Sequence, residues 1–360
     1  MTRFPVIDDR PPVPRTHEYG IALIGCGGIV NHAHLPAYRQ HGLALAGCYD
    51  RNRDVATATA TAHNIGRVYE SIDEILTDPD ARIVDIAIHP EAQPDIAVRC
   101  LEAGKHILCQ KPLGLNPVEA RRIVDAARMM GRKAAVNQQM RWSGGISASR
   151  QIISSGYIGK LTDLQINVSV STPWRLWPWL QISDQLDIMY HSIHYFDSIR
   201  FLAGDPSLVT SRHTTFPGQV ERAETKTITV FDYDSGCQAL IAVNHHDESG
   251  GVHATFRFLG MEGVIEGDIG LLATYPDGGV DTIRARRVDD PPDHWHRPTL
   301  NTRWLPDAFI GPIASLIDSI ATDAEPLTGV ADNINTVRVV SAAYQSMAEG
   351  RTIPFLIVPG

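Results

Sequence analysis

Short apolar runs alternate with amphipathic segments over the first 139 residues of the chain. The runs have the length and side chains of strands buried in a parallel sheet, and they lie at 21–24, 43–49, 67–69, 83–88, 106–109 and 133–136. The segments between them have the spacing of helices and lie at 53–63, 71–76, 93–103 and 117–130. This alternation predicts right-handed crossovers and a doubly wound parallel sheet of about six strands, with ligands at the carboxyl ends of the strands.

The pattern changes after residue 139. A helix at 145–154 is followed by longer alternating runs typical of antiparallel strands, at 164–170, 225–231, 238–243 and 254–259. Two more helices are predicted at 306–321 and 332–348, before an apolar tail at 353–358. We therefore expect an α/β domain with a doubly wound parallel sheet, followed by an α+β domain with a large open, mostly antiparallel sheet.

The predicted domain boundaries follow from these changes. Prolines are frequent among the first residues and predict an extended arm over 1–17. The doubly wound domain is expected over 18–139 and the α+β domain over 140–330. The last segment, 331–360, is expected to form a helix and a tail that pack back.

Composition and charge exclude several classes of protein. The 360 residues are 43% hydrophobic and 20% charged, which is ordinary for a globular chain. The net charge of −9 argues against a nucleic-acid partner. We find no apolar stretch that would cross a bilayer and no signal peptide, so we expect a cytoplasmic protein without a membrane partner. The five scattered cysteines suit reduced core thiols, and we expect no disulfide.

A glycine-rich turn follows the first predicted strand. The sequence Gly25-Cys-Gly27-Gly28-Ile29 lies where a dinucleotide fold needs a tight turn and a close approach of backbone to the pyrophosphate. Gly25 and Gly27 fit these roles, and Gly28 adds an N–H group at the start of the next helix. Val30 stands where a small third residue is usual, so the turn alone does not establish a cofactor site.

The second predicted strand ends in Asp50. It lies at the distance downstream where an acid holds the ribose hydroxyls of NAD. The alternative is that Asp50 caps the helix at 53–63. A carboxylate repels a 2′-phosphate and so favours NAD, whereas Arg51 beside it would accommodate NADP.

Two later strands end in polar residues. His89 follows the strand at 83–88, and Gln110-Lys111-Pro112 follows the strand at 106–109. Both segments are expected at the carboxyl ends of the strands, where a nucleotide binds in such sheets. Lys111 is the first candidate for a catalytic role, and the alternative is a solvated lysine at a strand end.

These motifs together resemble the Gfo/Idh/MocA oxidoreductases, the family of glucose–fructose oxidoreductase and inositol dehydrogenase. The resemblance covers nearly the whole chain and rests on five segments, which are Gly25-Cys-Gly27-Gly28-Ile29, His34-Leu-Pro36-Ala, Glu102-Ala-Gly104-Lys-His106, Gln110-Lys111-Pro112 and His194-Tyr-Phe-Asp197. It implies an N-terminal Rossmann domain and a C-terminal open sheet that often builds the oligomer interface, here of a homodimer or homotetramer. It also implies hydride transfer between NAD(P) and a sugar or polyol.

The resemblance implies roles for individual residues. Lys111 matches the lysine of the family's Glu-Lys-Pro motif, which lies between the nicotinamide and the reacting oxygen. Gln110 replaces the glutamate, and a neutral amide cannot raise the pKa of Lys111 by charge. His194 resembles the catalytic histidine. Asp197, three residues later on the same helix face, would orient its imidazole.

The acidic residue that precedes the histidine in the family is expected at a different position in this chain. The family often has an aspartate four residues before the histidine, and Tyr190 stands there in this chain. Asp187 and His191 lie one turn further back. The resemblance also places Asn137 and Arg141 along the cleft.

Three tryptophans lie within six residues of the second domain. Trp174-Arg175 resembles a pair that reaches toward the cofactor and the substrate in many members of the family. Together with Trp177 and Trp179, Trp174 offers flat rings that suit the C–H faces of a sugar. The alternative is that at least two of these rings belong to the core or to a subunit contact.

The predicted site comprises three sets of residues. The catalytic residues are Lys111, His194 and Asp197. The cofactor-binding residues are Gly25, Gly27, Gly28, Ile29, Asp50, Arg51, His89, Gln110, Lys111, Gln139, Trp174 and Arg175. The substrate-binding residues are Lys111, Asn137, Arg141, Trp174, Tyr190, His191 and His194. Three histidine groups lack a second ligand pair at a diagnostic spacing, so we predict no metal site, and these groups are His191 with His194, His245-His246 and 293–296.

The predicted reaction is the oxidation of an aldose at C1 to a lactone with NAD, or with NADP. His194 would take the hydroxyl proton, while Lys111 would stabilise the developing alkoxide or share the role of base. One alternative is a dehydrogenase of inositol or of a keto-sugar. Two others are an NAD-dependent glycosidase with a transient redox step and a dinucleotide sensor without catalysis.

Overall fold

The computed structural model describes residues 3–273 and 278–355 and divides into two compact units. The first unit consists of Pro11–Gln139 and Leu305–Val337. The second consists of Met1–Arg10, Met140–Trp304 and Arg338–Gly360. Within the described ranges, no helix is long and apolar enough to cross a bilayer.

Five parallel strands form the sheet of the first unit. They are β1 Gly20–Ile24, β2 Leu45–Tyr49, β3 Ala81–Ile86, β4 His106–Cys109 and β5 Ala134–Val136. Their order is β2-β1-β3-β4-β5, so the strand order reverses between β1 and β3, where nucleotides bind in such sheets. The predicted strand at 67–69 is reduced to a single parallel bridge, between Val68 and Cys48 of β2.

Helices connect these strands. They are α1 Leu35–Gln40, α2 Arg53–His63, α3 Ile72–Thr77, α4 Gln93–Glu102 and α5 Pro117–Met130. The ends predicted for α2 and α5 are confirmed because cap residues stand there. The Asn52 side chain accepts from the N–H of Asp54 at the start of α2, and Asn116 caps α5, which ends at the left-handed Gly131. A π-helical segment, Val30–His34, leads into α1.

Apolar side chains cover both faces of this sheet, which is why its strands are continuous apolar runs. Leu23 of β1 packs with residues of α1 and α2. The next residue, Ile24, packs with residues of α4 and α5. Successive side chains of a strand point to opposite faces of the sheet. The helices on both faces therefore pack against β1.

In the second unit, the described residues form an open sheet of eight strands. They are β6 Leu161–Ser169, β7 Leu208–Thr214, β8 Lys226–Asp232, β9 Gln238–Asn244, β10 His253–Gly260, β11 Gly263–Asp268, β12 Thr282–Arg287 and β13 Ile353–Pro354. Their order is β12-β11-β10-β6-β9-β8-β7-β13, and β6 and β9 form a parallel pair in an otherwise antiparallel sheet. The predicted fold class is confirmed for both units.

The hydrophobic pattern does not predict β7, β11 or β12. In β12, Ile283 and Ala285 alternate with Arg284 and Arg286, and the strand lies at one edge of the sheet. Charged side chains on an edge strand prevent pairing with other chains. They also remove the apolar excess by which a strand is found from sequence.

Helices complete the two units. They are α6 Gly144–Ser154, α7 Pro178–Gln181, α8 Ile193–Ala203, α9 Ile310–Thr322 and α10 Val330–Glu349. A second π-helical segment, Asp187–Ser192, leads into α8.

Residues 305–330 are expected in the α+β domain, whereas in the structure they belong to the first unit. There α9 contacts β4 and β5, and Val330 and Ile334 join an apolar cluster of the Rossmann-type sheet. In the predicted tail, Ile353 pairs with Val209, whereas residues 356–358 lie outside the described residues.

The N-terminal arm forms neither helix nor strand over residues 3–17. Within the second unit, Asp9 accepts hydrogen bonds from the backbone N–H groups of Asn301 at 2.6 Å and Thr302 at 2.8 Å. The ring of Phe4 stacks on His296, with the ring centroids 4.4 Å apart. Specific contacts therefore hold the first part of the arm in place.

Candidate active site

The glycine turn after β1 has room for a ligand. Gly25 has a φ of +97°, and a Cβ there would lie 2.3 Å from the carbonyl oxygen of Ala87, so only glycine fits. A Cβ on Gly27 would meet no atom within 4 Å, and one on Gly28 would meet the His32 ring at 3.8 Å. Open space beside backbone N–H groups at the start of a helical segment suits a pyrophosphate. The turn therefore fits a dinucleotide.

The two residues after the turn pack inward. Ile29 and Val30 contact the apolar cluster that contains Leu23, and Val30 is fully buried. The bulky third residue of the motif therefore takes part in the packing of helix on strand. A small residue has this role in the usual motif.

Asp50 lies just after β2, and two backbone donors fix its carboxylate. Its Oδ2 accepts from the N–H of Cys26 at 2.9 Å, and its Oδ1 accepts from the N–H of Asn52 at 2.9 Å. The cap of α2 is Asn52, which accepts from the N–H of Asp54. The helix therefore does not need Asp50 as its cap. Arg51 is exposed.

Two other residues predicted to bind the cofactor follow strand ends. His89 is exposed in the segment after β3, and Gln139 is buried after β5. The Oε1 of Gln139 has no hydrogen-bond partner within 3–273 and 278–355. Both residues lie on the side of the sheet where ligands bind in this architecture.

The segment after β4 holds Lys111 in a defined turn. Gln93, at the start of α4, donates from its Nε2 to the carbonyl oxygens of Gln110 and Pro112, each at 2.8 Å. The N–H of Gln110 donates to the carbonyl oxygen of Ile86 at 2.8 Å, and the peptide bond between Lys111 and Pro112 is cis. Burial lowers the pKa of Lys111 to about 8. An amine that titrates near neutral pH can stabilise an alkoxide or accept a proton.

A buried histidine connects the ends of three strands. The Nδ1 of His34 lies 2.7 Å from Oδ2 of Asp85, and the hydroxyl of Tyr38 donates to the same oxygen at 2.8 Å. The Nε2 of His34 lies 3.0 Å from Nε2 of Gln110 and 3.1 Å from Nδ2 of Asn137. Asn137, predicted to bind substrate, is thus held beside the Lys111 turn.

The motifs in the sequence assign no role to His34, and Asp85 lies outside them. Both side chains are fully buried. One signal was available in the sequence, because Asp85 is an acid in the middle of an apolar strand, and a buried charge needs a partner.

In the second unit, Asp187 is fully buried and accepts several hydrogen bonds. Its Oδ1 accepts from Nε2 of His245 at 2.8 Å and from the hydroxyl of Ser192 at 2.6 Å, and its Oδ2 accepts from the hydroxyl of Thr227. The Nδ1 of His191 lies 3.8 Å from the same Oδ1. Burial alone would raise the pKa of Asp187, but the imidazoles of His245 and His191 and the hydroxyl of Ser192 lower it below its ordinary value.

The π-helical segment that carries Asp187 is anchored by Glu224. The Oε1 of Glu224 accepts from the N–H groups of Leu186 at 3.2 Å and Ile188 at 3.3 Å. The same oxygen accepts from the hydroxyl of Tyr344 at 2.6 Å. These contacts fix the backbone on both sides of the Asp187 carboxylate.

Sequence spacing did not reveal the role of His245, which was considered only as a metal ligand. Its Nδ1 contacts the hydroxyl of Thr172 at 2.7 Å while its Nε2 contacts Asp187. Its ring packs on Trp174 and on His191, at centroid distances of 4.8 Å and 4.5 Å. These residues come from segments far apart in the sequence, so a spacing along the chain cannot show that they meet.

Both predicted catalytic residues of this unit, His194 and Asp197, are buried on α8. Arg141 donates to Asp197 twice, from Nε at 2.7 Å and from Nη2 at 2.8 Å. The Nη1 of Arg200 lies 3.9 Å from the same carboxylate. The ring of His194 packs on Trp304 at 5.2 Å. Arg141 thus engages both oxygens of the Asp197 carboxylate, and orientation of His194 by Asp197 stays a prediction.

The predicted tryptophan cluster forms a small aromatic layer. Trp174 is buried, and Trp177 packs on it edge to face at 6.4 Å. Trp179 packs on Tyr190 at 5.2 Å, also edge to face. Arg175 is exposed. These contacts favour a packing role for Trp174, whereas Trp177 and Trp179 are only partly buried.

Asp187, His191 and His245 also have the geometry of a metal site, because their ligand atoms lie within 4.8 Å of one another. Both oxygens of Asp187 already accept hydrogen bonds, and both nitrogens of His245 have partners. Hydrogen bonding therefore accounts for the cluster. The absence of a metal stays a prediction.

Two models of protein families match successive parts of the chain. Residues 19–138 match the model of the Gfo/Idh/MocA oxidoreductase family, NAD-binding Rossmann fold. Residues 146–266 match the model of the Gfo/Idh/MocA C-terminal domain. The two matches together span more than half of the chain.

Individual relatives match over most of the chain. A D-apiose dehydrogenase of Paraburkholderia graminis is 25% identical over 342 residues, which are 92% of this chain and 88% of that protein. An oxidoreductase from Agrobacterium radiobacter, solved with NAD+, L-tartaric acid and magnesium, has a TM-score of 0.83 and 22% identity over 94% of this chain and 98% of its own. A levoglucosan dehydrogenase, solved with NADH and levoglucosan, has a TM-score of 0.82 and 19% identity. The match covers 93% of this chain and 99% of that protein. These two structures share the fold.

Proposed function

Because this chain belongs to the Gfo/Idh/MocA oxidoreductase family, we propose that it oxidises a hydroxyl group of a small sugar or polyol with NAD. The observation that carries the proposal is the Lys111 turn, which places a lysine with a pKa of about 8 after β4. The likeness to a D-apiose dehydrogenase over 92% of the chain supports a monosaccharide as the substrate. Oxidation of an aldose at C1 is the reaction we test first.

The first unit supplies the cofactor site in this proposal. Gly27 and Gly28 leave space for the pyrophosphate, and the fixed carboxylate of Asp50 accepts from the ribose hydroxyls. When bound, NAD supplies the hydride acceptor. Lys111 carries its positive charge below a pH of about 8 and stabilises the negative charge that develops on the substrate oxygen.

For the base that takes the hydroxyl proton, the geometry favours His191. It is partly exposed, and it lies 3.8 Å from the buried carboxylate of Asp187, which stabilises an imidazolium. His194, the base in the motif-based prediction, is buried, and Asp197 near it is engaged by Arg141. We therefore propose His191 as the base and keep His194 as the alternative.

The experiment that tests the function is a substrate screen. D-apiose, levoglucosan, common aldoses and inositols are each mixed with the enzyme and NAD or NADP. We expect the absorbance of reduced nicotinamide to increase with at least one monosaccharide. A lactone product supports C1 oxidation, and a ketone points to another carbon. If none of these compounds reduces either cofactor, the proposed function is wrong.

We expect the pH profile of kcat/KM for oxidation to fall as the pH rises through about 8, because Lys111 then loses its charge. The pKa of this lysine is lowered by burial, so the cation persists only below that value. The variant Lys111→Met, measured with higher enzyme concentration, should lack this descending limb. A limb that persists in the variant belongs to another group.

The wild type should prefer NAD to NADP by at least roughly tenfold in kcat/KM, because the Asp50 carboxylate repels a 2′-phosphate. Asp50→Asn keeps an acceptor for the N–H of Cys26 and should reduce the preference. Arg51→Ala is the matched control, which should weaken only the use of NADP. A tenfold preference of the wild type for NADP would show that Asp50 does not contact the ribose.

A further inference from the structure

We propose that His34 is a positioning residue of the active site. It acts as a hydrogen-bond acceptor that fixes the side chains of Gln110 and Asn137 and, through Gln110, the backbone of Lys111. This inference rests on the function proposed above for Lys111.

The orientation of the Gln110 amide follows from the backbone. The N–H of Lys111 donates to Oε1 of Gln110 at 2.8 Å. A backbone N–H is always a donor, so the oxygen of this side chain faces Lys111 and the NH₂ group faces His34. The two ends of the amide are therefore assigned without reference to the imidazole.

The protonation state of the His34 ring follows next. An NH₂ group only donates, so the Nε2 atom 3.0 Å from Gln110 carries a lone pair and no proton. The proton of a neutral imidazole is then on Nδ1, where it is donated to Oδ2 of Asp85 at 2.7 Å. Tyr38 donates to the same oxygen at 2.8 Å. Asp85 thereby selects the tautomer that can accept from Gln110.

A second NH₂ group shares the one lone pair of Nε2. Nδ2 of Asn137 lies 3.1 Å from Nε2 of His34 and turns the Oδ1 of Asn137 away from the ring. His34 thus sets the orientation of one amide after β4 and of another after β5. Full burial of the ring leaves it little freedom to adopt another position.

This arrangement accounts for glutamine at position 110. A glutamate there would bring a carboxylate oxygen against the lone pair of Nε2, unless His34 took a second proton. With Asp85 fixing the tautomer, an amide is the group that satisfies both Lys111 and His34. Glutamine in place of the glutamate of the Glu-Lys-Pro motif therefore suits a His34 ring whose Nε2 is unprotonated.

The test compares two variants of similar size. In His34→Gln, the side-chain amide reaches the place of Nε2, where its oxygen accepts from Gln110 and Asn137. In His34→Asn, the shorter amide takes the place of Nδ1 and keeps the bond to Asp85, but the acceptor for Gln110 is lost. We expect His34→Gln to retain kcat within about threefold, and His34→Asn to lower kcat roughly tenfold to a hundredfold with an unchanged KM for NAD.

Melting temperatures of the two variants provide the control, and similar values are expected because both lose the ring. If kcat falls equally in both variants, His34 is only a structural residue. If kcat falls in neither, the positioning role is wrong.

A measurement on the wild type keeps the inference testable should the variants fail to fold. ¹⁵N NMR of the buried His34 ring should show a protonated Nδ1 and an unprotonated Nε2 at neutral pH. The opposite tautomer or an imidazolium would overturn the inference. This result does not depend on turnover, so it is distinguishable from failure of the proposed dehydrogenase activity in the substrate screen.

Discussion

Lys111→Met is expected to lower kcat for sugar oxidation by at least about 10³-fold. The variant removes the cation that stabilises the substrate oxygen and leaves a side chain of similar length in the same turn. Affinity for NAD should change little, since the backbone contacts of this turn remain. Kinetics of NADH formation and a direct measurement of NAD binding check the two expectations separately.

Lys133→Met is the matched control for this substitution. Lys133 lies directly before β5, at the amino end of that strand, whereas Lys111 follows the carboxyl end of β4. Its Nζ pairs with Asp323 at 3.1 Å and with Glu325 at 3.2 Å. Surface ion pairs of this kind contribute at most about 1 kcal/mol to stability, so kcat should stay near the wild-type value. Equal loss of kcat in both lysine variants would mean that Lys111 has no special role.

His191→Ala is expected to lower kcat by roughly 10² to 10⁴, the usual cost of removing a general base. The reason is the position of His191 beside Asp187, whose carboxylate is fixed by His245 and Ser192. His194→Ala should lower kcat less than about tenfold, because that ring is buried against Trp304. Steady-state kinetics of both variants with the same sugar provide the comparison.

The opposite outcome has a definite meaning. If His194→Ala abolishes turnover and His191→Ala mainly raises the KM for the sugar, the motif-based assignment is right and the geometric argument is wrong. Asp187→Asn adds a further check, because it keeps the shape of the side chain and removes the charge next to His191. This variant should resemble His191→Ala in kcat.

Much of the fold could be predicted because burial in parallel strands leaves apolar runs in the sequence. The strand His106–Cys109 and the helices Arg53–His63 and Pro117–Met130 have their predicted bounds. Caps and a left-handed glycine mark such helix ends. The hydrophobic pattern does not predict the edge strand Thr282–Arg287. This strand buries few side chains, and its apolar residues alternate with arginines.

The candidate site was only partly predictable. Motifs indicate Gly25, Asp50 and Lys111 as candidates, since each follows a strand at a recognisable distance. His34 and His245 could not be assigned, because their partners Asp85 and Asp187 are 51 and 58 residues away and meet them only through folding. The π-helical segment Asp187–Ser192 also alters the helix register that a motif alignment assumes.

The central claim is that this chain catalyses a net oxidation of a sugar hydroxyl by NAD, and one measurement tests it most directly. Enzyme, NAD and the best sugar of the screen are mixed, and the absorbance of reduced nicotinamide is recorded together with the mass of the product. The account predicts one NADH formed for each sugar consumed, and a product that has lost two hydrogen atoms. Consumption of a glycoside without net NADH would contradict it and would indicate a transient redox step instead.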